Sequence, residues 1–174
     1  MVVRLAFERT CSDAMKYIVQ TLSGPYVHTE MIVVDDSADK RAYSAYMSDT
    51  FSSTLECDFA FSDLTHDFLH VETSPAETKR VWDTCEVCTI TRIPYNYSDM
   101  VLSVVPLRSP TERDIFTCRT LYCSQAMVLI LRACLERNHP LQAPLAAINS
   151  RVVTPTQLFR ALEPFCEKVG RRSV

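Results

Sequence analysis

Glycine is nearly missing from this chain of 174 residues, which contains only Gly24 and Gly170. Glycine-rich phosphate loops and dinucleotide-binding fingerprints need several glycines at fixed spacing, because their backbone approaches a phosphate closely. The sequence therefore excludes nucleotide-dependent chemistry of those kinds. A strong excess of one charge is missing too, since the net charge is −3. We expect no nucleic-acid partner, because binding to phosphate backbones needs a positive field.

Long apolar runs are also absent. Arg132 interrupts the most hydrophobic stretch, and no run approaches the roughly 20 residues of a membrane-spanning helix. We therefore expect no integral membrane segment. The opening MVVRLAFERTC is too short and too charged in its apolar part for a secretory signal. The eight cysteines are scattered, several of them in apolar runs, as is typical of free thiols. An intracellular, reducing compartment is expected.

Hydrophobic periodicity predicts strands at 2–7, 26–34 and 67–72, with further strand material within 41–61. It predicts helices at 12–23, with Ser12 or Asp13 as cap, at 75–89 and at 154–162. The last two follow the start signals Ser74-Pro75 and Thr154-Pro155. Segments without either period are predicted to be irregular, namely 93–100, 106–115 and 140–150.

These elements favour a single α+β domain at residues 1–166, with helices packed on a mostly antiparallel sheet. The basic residues 167–174 are expected to form a frayed tail. A chain of this length can bury a core of its own without staples.

Cys123 opens the most apolar helix of the chain, which is predicted to end at 138–140. Unpaired N–H groups and the positive end of the helix dipole lie at a helix N-terminus, and both favour the thiolate form of a cysteine. The rest of the helix is apolar on almost every side, which is typical of a helix buried inside a domain. Cys123 is therefore a candidate nucleophile.

A thiol nucleophile needs a general base and usually a third polar group that orients the base. His28 and Glu30 alternate along the strand at 26–34, so they share one face about 6.6 Å apart. They could supply both groups. The alternative is that His28 is a satisfied core residue and Cys123 a small buried hydrophobe, as such residues often are.

A zinc site is a second possibility, because His66-x3-His70 and Cys85-x2-Cys88 have a suitable count of ligands. On a strand, however, the two histidines would lie about 13 Å apart and could not share one metal. We therefore predict no metal and no other cofactor. Cys85 and Cys88 are expected on the inner face of the helix at 75–89, beside Val81 and Trp82.

Four segments, taken in order, carry a resemblance to a known family: Tyr26-Val27-His28-Thr29-Glu30, Ile93-Pro94-Tyr95-Asn96-Tyr97-Ser98-Asp99, Tyr122-Cys123-Ser124-Gln125 and Thr154-Pro155-Thr156-Gln157-Leu158. They resemble the circularly permuted papain-fold cysteine hydrolases related to the NlpC/P60 superfamily, particularly the viral, poxviral-type members. The resemblance spans about residues 2 to 162, although each motif is short.

The resemblance implies a permuted papain-like fold and a thiol hydrolase in which Cys123 attacks an acyl carbon and His28 transfers the proton. It also implies that Tyr95 lies near the oxyanion, beside the backbone N–H of Cys123. Gln125 is expected either to cap its helix or to contact substrate.

The third polar residue is where this chain departs from the family pattern. Many members supply that residue from the strand after the histidine strand, where this chain has no glutamate. Glu30 is our prediction for the role, with Ser44 or Asp49 as alternatives.

Two functions are therefore carried forward. The first is a cysteine hydrolase that cleaves an amide, isopeptide, thioester or lipid ester in a protein or acyl-lipid substrate, in a host cytoplasm or a virion if the chain is viral. The second is a catalytically inactive papain-like scaffold with a structural or interaction role, for instance in a viral particle. A plain binding domain is a third alternative, and the sequence leaves the oligomeric state open.

Overall fold

A computed structural model describes residues 2–10, 14–34, 40–45, 50–55, 61, 64–104 and 119–169. The strands of this part are β1 (Val2–Glu8), β2 (His28–Val34), β3 (Lys40–Ala45), β4 (Phe51–Leu55), β5 (His66–Glu72) and β6 (Glu167–Val169). Its helices are α1 (Ala14–Ser23), α2 (Pro75–Ile90), α3 (Tyr97–Val104), α4 (Cys123–Cys134), α5 (Gln142–Ala147) and α6 (Pro155–Leu162). A 3₁₀ turn, Glu163–Phe165, joins α6 to β6. In the described ranges we find no helix with the length and apolar character of a membrane span.

The strands form one sheet in the order β4-β3-β2-β1-β5-β6, and every pair is antiparallel. β1 lies between β2 and β5, so that Glu8 is opposite His28 on one side and His66 on the other. The predicted α+β class with a mostly antiparallel sheet is confirmed.

The two faces of the sheet bury different sets of side chains. Val3, Leu5 and Phe7 of β1 are fully buried in the large cluster that includes α4. Ala6 points the other way, into a smaller cluster with Phe68. Each large apolar side chain buried in this way stabilises the fold by about 1.5–3 kcal/mol. The helix-facing cluster therefore holds α4 firmly against the sheet.

α4 is the central helix, and all nine residues from Cys123 to Leu131 are buried. The predicted burial of this apolar helix inside the domain is therefore confirmed. It ends at Cys134, earlier than predicted, because Leu135 has an extended backbone. The Gln142 side chain then donates to the freed carbonyls of Arg132 (3.3 Å) and Leu135 (2.8 Å).

The predicted starts of α2 and α6 are confirmed, since each begins with a reciprocal capping box. The Ser74 hydroxyl accepts the Glu77 N–H (3.2 Å), and the Glu77 carboxylate accepts the Ser74 N–H (2.8 Å). Thr154 and Gln157 form the same pair of bonds at 3.1 and 2.9 Å. Two otherwise unpaired donors are satisfied at each helix start, which is why these short signals suffice.

Two helices lie where irregular structure was predicted. α3 begins inside 93–100, where the Asn96 side chain accepts the N–H of Asp99 (3.0 Å), and α5 occupies part of 140–150. These helices have only 8 and 6 residues. Helices this short are held by tertiary contacts rather than by their own propensity, so their period is hard to detect.

Other predictions are met only in part. On the predicted inner face of α1, Val19 is buried, but Ile18 and Leu22 are 46% and 56% exposed. Instead of fraying from its start, the segment 167–174 opens with β6, which pairs with β5. The predicted caps Ser12 and Asp13 and the predicted loop at 106–115 lie outside the described residues.

Gly24 ends α1 in a conformation with φ +114°, and a Cβ there would come within 2.8 Å of the Thr156 side chain. Two residues later, the Tyr26 N–H donates to the Thr156 hydroxyl (3.2 Å). Glycine is therefore required both by the backbone angle and by the close approach to α6. This contact fixes the start of β2, the strand that carries His28.

Candidate active site

Cys123 is the first residue of α4 and is 4% exposed. The hydroxyl of the preceding Tyr122 donates to the carbonyls of Ser150 (3.2 Å) and Val153 (3.1 Å). The hydroxyl of the following Ser124 donates to the Val153 carbonyl as well (2.7 Å). Both neighbours of Cys123 are thus tied to one loop, which fixes the position of the helix start.

The Cys123 thiol is hydrogen-bonded to the His28 side chain, and the backbone N–H groups of Thr29 and Ser124 also donate to the sulfur. Burial alone would raise the pKa of Cys123, but the His28 charge and these hydrogen bonds lower it. Burial would likewise lower the pKa of His28, yet Cys123 first and Glu30 second raise it from 6.5 to about 10. Each group therefore stabilises the charged form of the other, the thiolate of Cys123 and the imidazolium of His28.

Glu30 lies on the same face of β2 as His28, as the strand period predicted. His28 Nε2 is 3.6 Å from Glu30 Oε1, and the two side chains are 12% and 3% exposed. This distance is longer than a regular hydrogen bond but is within ion-pair range. The alternative Ser44 donates its hydroxyl to the Thr29 carbonyl (2.8 Å), so it supports the β2 backbone. Asp49 lies outside the described residues.

Tyr95 lies on a different segment, which is paired with the residues just before α4. The Leu121 N–H donates to the Pro94 carbonyl (3.0 Å), and the Asn96 N–H donates to the Leu121 carbonyl (2.8 Å). Tyr95 is therefore paired with Leu121, two residues before Cys123. Burial raises the pKa of Tyr95, and the negative charge of Cys123 raises it further. The phenol thus stays protonated and can act as a hydrogen-bond donor.

Gln125, the remaining predicted site residue, is fully buried. Neither polar atom of its side chain has a hydrogen-bond partner in the part of the chain that the structure describes. In this conformation Gln125 neither caps α4 nor reaches the surface. The structure thus brings Cys123, His28 and Glu30 together and pairs Tyr95 with a residue close before Cys123. The catalytic roles stay predictions.

The histidine and cysteine pairs that counted like a zinc site lie on opposite faces of the sheet. His66 and His70 alternate with core residues on β5 and share the face of Phe68, whereas Cys85 and Cys88 are buried in the cluster on the other face. The two cysteines therefore do lie on the inner face of α2, as predicted. Within the described ranges, no group of three or more His, Cys, Asp or Glu side chains is placed to hold a metal ion.

One buried ion pair, between α3 and the loop before α6, was not predicted from the sequence. Arg151 binds Asp99 through two bonds, from Nη2 to Oδ1 (2.9 Å) and from Nε to Oδ2 (3.2 Å). The side chains are only 13% and 4% exposed. Asp99 ends one of the resemblance motifs, but no local spacing indicates an arginine 52 residues away.

Comparisons with known proteins give a fold but not a function. No protein-family model matches the chain, and no curated protein matches it. Among solved structures, the chain is similar to the crystal structure of metalloprotein yiiX from Escherichia coli O157:H7 (DUF1105), with a TM-score of 0.65 and 16% sequence identity. The similarity covers 99% of this chain and 97% of that one. The two proteins therefore share a fold over nearly their whole length.

Proposed function

We propose that this chain is a thiol hydrolase of the permuted papain-like type, in which Cys123 is the nucleophile, His28 the general base and acid, and Glu30 the group that orients His28. One observation carries the proposal: a buried cysteine at a helix N-terminus is hydrogen-bonded to a histidine that also lies within ion-pair distance of a buried carboxylate. Such an arrangement has the parts that nucleophilic catalysis by a thiol requires.

The proposed reaction begins with attack of the Cys123 sulfur on the acyl carbon of an amide, isopeptide, thioester or ester. A C–S bond forms, and the carbonyl electron pair moves to the oxygen. When the tetrahedral intermediate collapses, the bond to the leaving group breaks and His28 gives its proton to that group. A water molecule then attacks the acyl carbon of the acyl-enzyme, and His28 takes a proton from that water. The acid departs, and the thiolate and imidazolium are restored.

The oxyanion would be stabilised from two directions. The backbone N–H of Cys123 at the start of α4 is one donor, and the Tyr95 hydroxyl is the other. The protonated state of Tyr95 and its backbone pairing with Leu121, two residues before Cys123, support this role. A phenol could then donate to the oxyanion throughout the reaction.

Metal-dependent chemistry is an alternative to consider, because the structurally similar yiiX is a metalloprotein. The described residues of this chain do not fit such a site, because no group of three or more His, Cys, Asp or Glu side chains among them is placed to hold a metal ion. The nearest ligand types, Cys123, His28 and Glu30, engage one another instead. The proposed steps therefore use side chains alone.

A probe panel tests the proposal. Ubiquitin-like, peptide and acyl-lipid electrophiles are each incubated with the protein and with a Cys123→Ala variant, and labelled peptides are identified by mass spectrometry. Covalent labelling of Cys123 by one probe class is expected, and that probe class indicates the chemical class of the substrate. If a folded protein is labelled by none of the three, the inactive scaffold becomes the better description. Work in reducing buffer matches the proposed intracellular or virion location.

A further inference from the structure

The buried ion pair between Asp99 and Arg151 connects two elements that are far apart in sequence. Asp99 lies in the first turn of α3, and Arg151 lies in the loop between α5 and α6. The guanidinium grips both carboxylate oxygens, and burial of the two charges removes most of their hydration. Removing one partner of such a pair leaves an uncompensated buried charge, so the pair is a rigid connection rather than a loose surface contact.

Asp99 is in turn joined to the backbone beside Tyr95. Its N–H donates to the Asn96 side chain (3.0 Å), and the Asn96 N–H donates to the Leu121 carbonyl (2.8 Å). Only one residue separates Asn96 from the Pro94 carbonyl that accepts the Leu121 N–H. The Tyr95 segment is therefore held both by Leu121 and, through Asn96, by the start of α3.

The loop that carries Arg151 also holds the start of α4. The Ser150 and Val153 carbonyls, on either side of Arg151, accept the hydroxyls of Tyr122 and Ser124. These two residues flank Cys123. One short loop therefore binds Cys123 through its neighbours and Tyr95 through α3.

We propose that Arg151 is a positioning residue that sets the distance between the Tyr95 hydroxyl and Cys123 by holding Asp99. The inference rests on the proposed function, because Tyr95 matters only if an oxyanion forms. Within the described residues, the Arg151 guanidinium hydrogen-bonds only to Asp99, and no bond joins it to β2. Loss of Arg151 should therefore disturb the oxyanion side of the site and leave the Cys123–His28 pair in place.

Two reactions of Cys123 distinguish an effect on the oxyanion side of the site from an effect on the Cys123–His28 pair. Alkylation by iodoacetamide needs the thiolate but forms no oxyanion, whereas acylation by p-nitrophenyl acetate passes through a tetrahedral oxyanion. Arg151→Gln and Asp99→Asn are expected to slow acylation by about 10- to 100-fold, as displacements of about 1 Å can do. Alkylation of Cys123 should change by less than about twofold. The Tyr95 hydroxyl is proposed to stabilise an oxyanion, and alkylation forms none. Arg151→Lys keeps the charge and should recover part of the acylation rate.

The control is Arg80→Gln. Arg80 donates to the Cys134 carbonyl at the other end of α4 (2.8 Å), so its loss tests a general loosening of that helix. It should slow neither reaction. A second test places Arg151→Gln in a Tyr95→Phe background, where it should cause no further loss of acylation. Equal losses in both backgrounds, or parallel losses of acylation and alkylation, would show that Arg151 is merely structural.

A direct measurement keeps the inference testable even if Cys123 proves unreactive, which would refute only the proposed function. The aromatic ¹H–¹³C signals of Tyr95 report its surroundings without any chemistry. They should shift in Arg151→Gln and in the isosteric Asp99→Asn, but not in Arg80→Gln. Unchanged Tyr95 signals in a folded variant would refute the positioning role.

Discussion

Replacement of His28 by alanine should abolish the special reactivity of Cys123. In the wild type, the His28 charge and hydrogen bond lower the pKa of Cys123 against the opposing effect of burial. In His28→Ala only burial and the backbone hydrogen bonds remain. The midpoint of the pH profile for alkylation of Cys123 should therefore move upward, to the ordinary thiol pKa or above it.

The size of the effect follows from the thiolate fraction. At pH 6.5 a thiol with an ordinary pKa near 8.5 is about 1% ionised. Each unit by which its pKa is lowered raises that fraction about tenfold, but lowers the intrinsic nucleophilicity about threefold. As long as the thiol stays mostly protonated at pH 6.5, the net gain in alkylation rate is about threefold for each unit by which the pKa falls. This advantage should disappear above pH 9, where ordinary thiols ionise without help.

The assay is alkylation by iodoacetamide between pH 5 and pH 10, with the rate at Cys123 read by mass spectrometry of its peptide. Four other described cysteines, Cys85, Cys88, Cys134 and Cys166, are free thiols and serve as internal references. His70→Ala is the matched control, because His70 is a strand histidine that binds Arg4 (3.1 Å) far from Cys123. The same midpoint in wild type and His28→Ala would refute the reasoning. An equal shift in His70→Ala would do so as well.

Three further outcomes are expected. Glu30→Gln removes the carboxylate that helps to raise the pKa of His28, so NMR titration should show that pKa lowered by about one unit. Tyr95→Phe should slow acylation of Cys123 by p-nitrophenyl acetate about 100-fold without changing its alkylation, and equal rates in both forms would remove Tyr95 from the oxyanion site. The raised pKa of His28 contributes stability that declines as the pH rises from 6.5 to about 10, and the lowered pKa of Cys123 contributes stability that declines as the pH falls below 9.0. The free energy of unfolding lost in a Cys123→Ala, His28→Ala double variant should therefore fall between pH 9.0 and about 10, where only the His28 contribution changes, as chemical denaturation at several pH values would show.

The sequence predicted those parts of the site that local geometry determines. His28 and Glu30 share a face because a strand alternates, and Cys123 lies at a helix start because an apolar run follows it. The meeting of β2 with α4 could not be derived in this way. It depends on how six strands and a buried helix pack, and only the family resemblance pointed to it. α3 and α5 were missed because tertiary contacts, rather than a visible period, hold such short helices.

The same distinction between local and long-range contacts divides the site into two halves. His28 and Glu30 lie two residues apart on β2, so the strand itself fixes the half that moves protons. Tyr95 lies far from Cys123 in sequence and is held beside it by long-range contacts, namely its backbone pairing with Leu121 and, through α3, the Asp99–Arg151 ion pair. Sites without shared partners usually contribute independently, whereas residues of one network do not. Because Arg151 is proposed to act through Tyr95, the effects of Tyr95→Phe and Arg151→Gln on acylation should not add.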